Sequence, residues 1–253
     1  MHPNLCSIGP VTLHTYGLLA AIGIIAASLY LQKNAFQINA TSDQMVDLFL
    51  VTVVSGFIGA RALYVVDEWE FFREKPFEMI AIWNGGIIFY GGLIGGFLGF
   101  FVAVKRMRFP FFGTLDLFTI AVTLAHGFGR IGCFFNGCCY GRETHSIFGI
   151  RFPFSQVPLH PTQLYDAAFC FALFAVLVWF YSKHSKTAGA TSFLYFTLQP
   201  IGRFVIEFFR DDMPRLAWNL TLGQWMAAGI FSATLIVALM IKVSHAKRDH
   251  SRS

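Results

Sequence analysis

Long apolar blocks separated by short polar turns dominate this chain. A block must hold about 20 mainly apolar residues to cross ~30 Å of hydrocarbon. Blocks of that kind fall at Thr15–Leu31, Gln44–Val66, Ile87–Val104, Leu115–Phe135, Pro161–Tyr181, Thr191–Phe209 and Leu220–Val243. The fourth and sixth each contain an arginine, Arg130 and Arg203. The pattern predicts an all-α, polytopic membrane protein with about seven transmembrane helices. No soluble domain fits between the blocks, and no strong repeat or low-complexity tract is visible. Residues 1–253 are therefore read as a single integral membrane domain.

Composition agrees with that pattern. Hydrophobic residues make up 55% of the chain, charged residues 13%, and Phe alone accounts for 30 positions. A soluble domain carries about 25% charged residues, and mean hydropathy here is +0.57. The first ten residues lack a basic leader, and the first apolar block is a full span with no A-x-A site after it, so no cleaved signal peptide is expected.

Charge then sets the topology. The net charge of +5 is the sum that an excess of Lys and Arg in cytoplasmic loops produces, so no nucleic-acid partner is expected. With the N-terminus outside, the inner loops hold ten basic residues, including Lys105, Arg106, Arg108, Lys242, Lys247 and Arg248, and the outer loops six. The loop 67–86 on the outside is acidic, with Asp67, Glu68, Glu70, Glu74 and Glu78. This predicts N-out, C-in. The longest polar stretch, 136–160, is broken by Gly137, Gly141, Gly149, Pro153 and Pro158. It is expected to form a small periplasmic head or a re-entrant segment.

Gly91, Gly95 and Gly99 repeat at four-residue spacing and share one helix face. Small residues there let a second backbone approach closely. They serve helix packing or, additionally, a groove for a lipid chain. Gly85 and Gly86 just before them predict an irregular start to that span.

Charges inside a bilayer are costly and mark function. Arg61, Asp116, Arg130, Arg203 and Glu207 all fall in or at the apolar blocks. Arg203 and Glu207 are spaced to pair at i, i+4, and Pro200 removes a helix hydrogen bond beside them. Gly127, Gly129 and Gly132 clear space around Arg130. Arginine matches phosphate bidentately, so Arg130 and Arg203 point to a phospholipid headgroup. His126, four residues before Arg130, His160, where the head meets the fifth block, and His14, before the first block, are the candidate general bases. Cys133, Cys138 and Cys139 form C-x4-C-C, without the second ligand pair usual in zinc sites. A disulfide in an oxidising compartment and plain buried small residues are the other readings. No metal is expected.

These segments together resemble one family. Gly129-Arg130-Ile131-Gly132, Phe134-Phe135-Asn136-Gly137 and Gly141-Arg142 resemble the signature of bacterial prolipoprotein diacylglyceryl transferases, approximately G-R-x-G-N-F-x-N-G-E-x-x-G. His14-Thr15-Tyr16-Gly17 is similar to the family's first-helix motif. Trp83-Asn84-Gly85-Gly86 through Phe89-Tyr90-Gly91-Gly92-Leu93-Ile94-Gly95 is similar to W-x-G-G-x-x-F-H-G-G-L-x-G. His160-Pro161-Thr162-Gln163-Leu164-Tyr165-Asp166 follows H-P-[ST]-Q-L-Y-E, and Arg203 to Arg210 follows R-F-x-x-E-F-x-R. The chain departs at Tyr90, where the family has His, at Cys133, where it has Asn, and at Cys138, where it has Glu.

The resemblance implies transfer of diacylglyceryl from phosphatidylglycerol to the lipobox cysteine of prolipoprotein signal peptides, in the bacterial inner membrane among its lipids. It implies no metal or organic cofactor. The catalytic residues it implies are Arg130, Arg203 and Glu207; His126 or His160 is expected, on the chemistry of histidine, to replace the missing family histidine as base. The implied substrate-binding residues are Arg130, Tyr16, Asn136, Tyr90, Gly141 and Asp116. Three alternatives stay open: a paralogue acting on another acceptor, a phospholipid transporter or flippase, and a non-catalytic lipid-binding scaffold.

Overall fold

A computed structural model describes residues 4–8, 11–81, 85–184, 187–210 and 214–250. The elements run β1 (Asn4–Ile8), β2 (Val11–His14), α1 (Thr15–Lys33), α2 (Ser42–Asp67), α3 (Trp69–Glu74), α4 (Phe89–Met107), α5 (Phe111–Asn136), β3 (Ile150–Arg151), β4 (Pro158–Leu159), α6 (Thr162–His184), α7 (Ala190–Glu207) and α8 (Leu222–His250). The protein is a mostly helical, multi-pass membrane protein. Among the described residues, six helices are long and apolar enough to span a bilayer: α1, α2, α4, α5, α6 and Leu222–Met240 of α8. The seventh expected span forms α7 but is not one of these six. It carries Thr191, Ser192, Thr197, Gln199, Arg203 and Glu207.

The chain divides into two compact units, 28–115 and 1–27 with 116–253. In the first of these, α2 and α4 pack through glycine. A Cβ on Gly95 would lie against Ser55 O and 2.9 Å from Gly59 Cα, and one on Gly91 would strike Gly59 O. The shared glycine face is thus a helix-packing surface. α2 opens with a capping box: Gln44 N donates to Thr41 Oγ1 (3.2 Å) and Thr41 N to Gln44 Oε1 (2.9 Å).

Arg61, within the same unit, is 7% exposed. It donates to the carbonyls of Glu78 (2.6 Å), Met79 (3.0 Å), Ala81 (3.2 Å), Gly85 (2.5 Å) and Gly86 (2.9 Å). Tyr64 and Phe72 flank its guanidinium. The intramembrane charge here holds the segment before α4 in place. Gly85 and Gly86 have φ of 78° and 77°, so the start of the third span is irregular as the glycine pair suggested.

In the other unit, α6, α7 and α8 pack in sequence order. Pro200 sits inside α7 and cannot donate to the carbonyl four residues back. That carbonyl, Phe196 O, accepts instead from Thr234 Oγ1 of α8 at 3.3 Å. The segment 137–161 holds the two-residue ladder of β3 with β4 and is tied to the end of α7 by Arg142 N donating to Phe209 O at 2.9 Å.

Candidate active site

Five charged groups from α5, α6 and α7 and the turn after it form one network. Arg130 Nε lies 2.8 Å from Asp166 Oδ2, and Arg203 Nη1 is 3.5 Å from the same oxygen. Arg203 Nη2 meets Glu207 Oε2 at 2.6 Å, and Arg210 Nε stands 3.8 Å from that oxygen. The carboxylates are buried, 3% and 1% exposed, while Arg130 and Arg203 keep 19% and 22% of their side chains open. Three guanidiniums face two carboxylates, which leaves an excess of one positive charge at a partly open site. Glu207 is held further by Thr221 Oγ1, which donates to Oε1 at 2.9 Å. Thr221 also caps α8 with Gln224, so the start of α8 fixes Glu207. Gly223 leaves room for it, since a Cβ there would lie 2.9 Å from Glu207 Oε1.

The sequence reading named Arg130, Arg203 and Glu207 but left out Asp166, the carboxylate that joins the two arginines. Asp166 was visible as the acidic end of His160–Asp166, yet its partners sit on other helices.

His126 Nε2 accepts from Arg130 Nε at 3.0 Å, and its Nδ1 lies 3.6 Å from Cys170 Sγ. The nitrogen that would take a proton is thus already bound to a guanidinium. This arrangement orients Arg130. His160 Nδ1 bonds Tyr165 Oη at 3.1 Å, and its ring packs on Phe209. Burial, and then the nearby Arg142 charge, lowers its pKa below the ordinary 6.5. His160 is therefore neutral at pH 7 and half-buried.

Asp116, expected to bind substrate, is 1% exposed. Its Oδ1 accepts from Ser192 N (2.7 Å) and Ser192 Oγ (2.6 Å), and its Oδ2 from Gly189 N (2.7 Å). It caps the start of α7, where helix N–H groups lack partners and the macrodipole favours an anion. Gly141 is needed sterically, since a Cβ there would meet His160 Cβ and Thr162 Cγ2, each at 2.8 Å. Its N donates to His160 O at 2.8 Å.

Tyr16 packs over Gly132 on α5, where a Cβ would sit 3.1 Å from its ring, and is 45% exposed. Asn136 ends α5 and is exposed. Tyr90 lies on α4 in the unit 28–115, 37% exposed, its ring edge-on to Phe89.

A family model described as prolipoprotein diacylglyceryl transferase matches residues 3–240. The chain belongs to the prolipoprotein diacylglyceryl transferase family. It is 34% identical over 230 residues to phosphatidylglycerol–prolipoprotein diacylglyceryl transferase 2 of Clostridium perfringens (strain 13 / Type A), covering 89% of this chain and 90% of the relative. It is also 34% identical over 246 residues to the phosphatidylglycerol–prolipoprotein diacylglyceryl transferase of Clostridium tetani (strain Massachusetts / E88), covering 95% and 96%. A relative of the same name from Wolbachia pipientis subsp. Culex pipiens (strain wPip) is 34% identical over 248 residues, covering 94% of each chain.

Proposed function

We propose that this chain transfers the diacylglyceryl group of phosphatidylglycerol to the cysteine thiol of prolipoproteins, at the lipobox of their signal peptides. The observation that carries the reading is the pair Arg130 and Arg203 joined on Asp166 within membrane helices, with one positive charge in excess. Arg130 meets both His126 and Asp166 through Nε, so its Nη1–Nη2 edge is the face for a bidentate phosphate. The phosphodiester is a monoanion that becomes a more highly charged leaving group as its C–O bond breaks. Donors fixed in advance at that oxygen lower the barrier. Asp166 and Glu207 hold the guanidiniums so that little reorganisation accompanies the reaction.

A thiol with pKa ~8.5 needs help to become a nucleophile. Of the two histidines, His160 is the better base, being neutral, half-buried and not spent on an arginine. Tyr16 and Asn136 complete the headgroup site. The segment 136–160 faces the periplasm, with the N-terminus outside and the C-terminus inside.

The test is transfer in phosphatidylglycerol vesicles to a fluorescent lipobox peptide, read as the diacylglyceryl mass on its cysteine. Addition that is lost with Arg130→Ala and with a Ser peptide supports the reading. Headgroup-dependent lipid flux in sealed vesicles without addition would instead identify a transporter.

A further inference from the structure

Beside the ion-pair network, three thiols converge where α5 ends. The Sγ atoms of Cys133, Cys138 and Cys139 all lie within 4.8 Å of one another, and those of Cys138 and Cys139 are 3.6 Å apart. Thiolates sharing a zinc ion at ~2.3 Å in tetrahedral geometry lie about 3.8 Å apart. Small side-chain adjustments bring the three onto one ion. Spacing along the chain argued against a metal; the turn after α5 reverses that argument.

This turn is built rather than incidental. Gly137 and Cys139 have φ of 73° and 61°, and a non-glycine residue in that region is uncommon. Cys138 N donates to Cys133 O at 3.2 Å, folding the chain back over Cys133. The first turn of α6 then grips it. Gln163 Nε2 donates to Cys138 O at 2.5 Å and Thr162 Oγ1 to Cys139 O at 2.7 Å. None of the three is joined in a disulfide, and each is half-buried.

We propose that Cys133, Cys138 and Cys139 form a three-thiolate site for a thiophilic divalent cation, best matched by zinc, with a fourth position open to the acceptor thiol. Three protein ligands and one open position is the pattern of a catalytic rather than a structural zinc site. Metal binding stands on the thiol geometry alone; the use of the open position rests on the transferase reading. A thiol that coordinates zinc is deprotonated, and its proton passes to His160, the base of the transferase reading. The bound thiolate attacks the glyceryl carbon. The new C–S bond forms as the C–O bond to phosphate breaks, glycerol phosphate leaves with the electron pair, and no redox change occurs.

The experiment uses the full chain in detergent, reduced and metal-free, titrated with Co²⁺. A thiolate-to-cobalt charge-transfer band saturating at a single equivalent and displaced by Zn²⁺ is expected. It should survive Cys170→Ser and vanish in the triple variant Cys133→Ser, Cys138→Ser, Cys139→Ser, whose folding is checked by monodisperse elution and binding to phosphatidylglycerol vesicles. Adding a lipobox peptide should strengthen the band, and a Ser peptide should not. No band beyond that of the folded triple variant, or a disulfide among the three in protein isolated without added oxidant, would overturn the site. A band that ignores the Cys peptide would overturn the open position. A normal band in protein that transfers no diacylglyceryl would reject the transferase reading and leave the metal site standing.

Discussion

Arg130 and Asp166 meet at 2.8 Å between α5 and α6, and that contact organises the charged site. Asp166 Oδ2 is shared with Arg203 of α7, so one buried carboxylate aligns guanidiniums from two different helices. Removing it leaves Arg130 with His126 and Arg203 with Glu207, but nothing that aligns the two with each other.

Asp166→Asn should therefore lower transfer about 100-fold or more, the scale of losing a preorganised charge-stabilising group. It should also destabilise the fold by about 3–5 kcal/mol, as breaking a buried ion pair does. Asp166→Glu should recover part of both. Peptide modification rates and thermal unfolding in detergent check this. Full activity in Asp166→Asn would remove Asp166 from the site.

Asp116→Ala tests capping against substrate binding. The variant loses three hydrogen bonds at the start of α7, and at least ~2 kcal/mol of stability should go with them. The KM for phosphatidylglycerol of the folded fraction should stay at the wild-type value. A raised KM with unchanged stability would restore the binding role.

Gly95→Ala places a methyl against Ser55 O and Gly59 Cα. Overpacking of this kind costs about 1–3 kcal/mol. Gly229→Ala is the control, since a Cβ there meets nothing within 4 Å and alanine favours helix. Thermal denaturation should show a clear drop for the first and none for the second.

The pH dependence of stability should carry the mark of His160. Its folded pKa lies below 6.5, so the unfolded chain takes up the proton first as pH falls. The stability contribution is complete above about 6.5 and is lost as pH drops from there toward the folded pKa. Melting temperatures followed downward from neutral pH should fall less steeply in His160→Gln. An unchanged slope would show that His160 does not titrate in this window.

The helices were readable because hydrophobic length is a property of consecutive residues. Six of the seven expected spans are helices of spanning length and composition. The exception, α7, is the helix whose polar side chains find partners in the protein: Ser192 with Asp116, Arg203 and Glu207 with each other. Arg61 shows the opposite limit. Its acceptors come from 17 to 25 residues further along the chain, a distance at which spacing carries no information about contact.

By itself the sequence determined the membrane-spanning helices, the glycine face of α4, the i, i+4 pair of Arg203 and Glu207, and the charged positions Arg130 and Arg203 within apolar blocks. These follow from periodicity and from the cost of charge in hydrocarbon, both local. Tertiary structure alone decided that Asp166 joins the arginines and that Asp116 caps α7. Ion pairs, caps and metal sites act over about 2–4 Å, and only helix packing brings residues so far apart in sequence within that range.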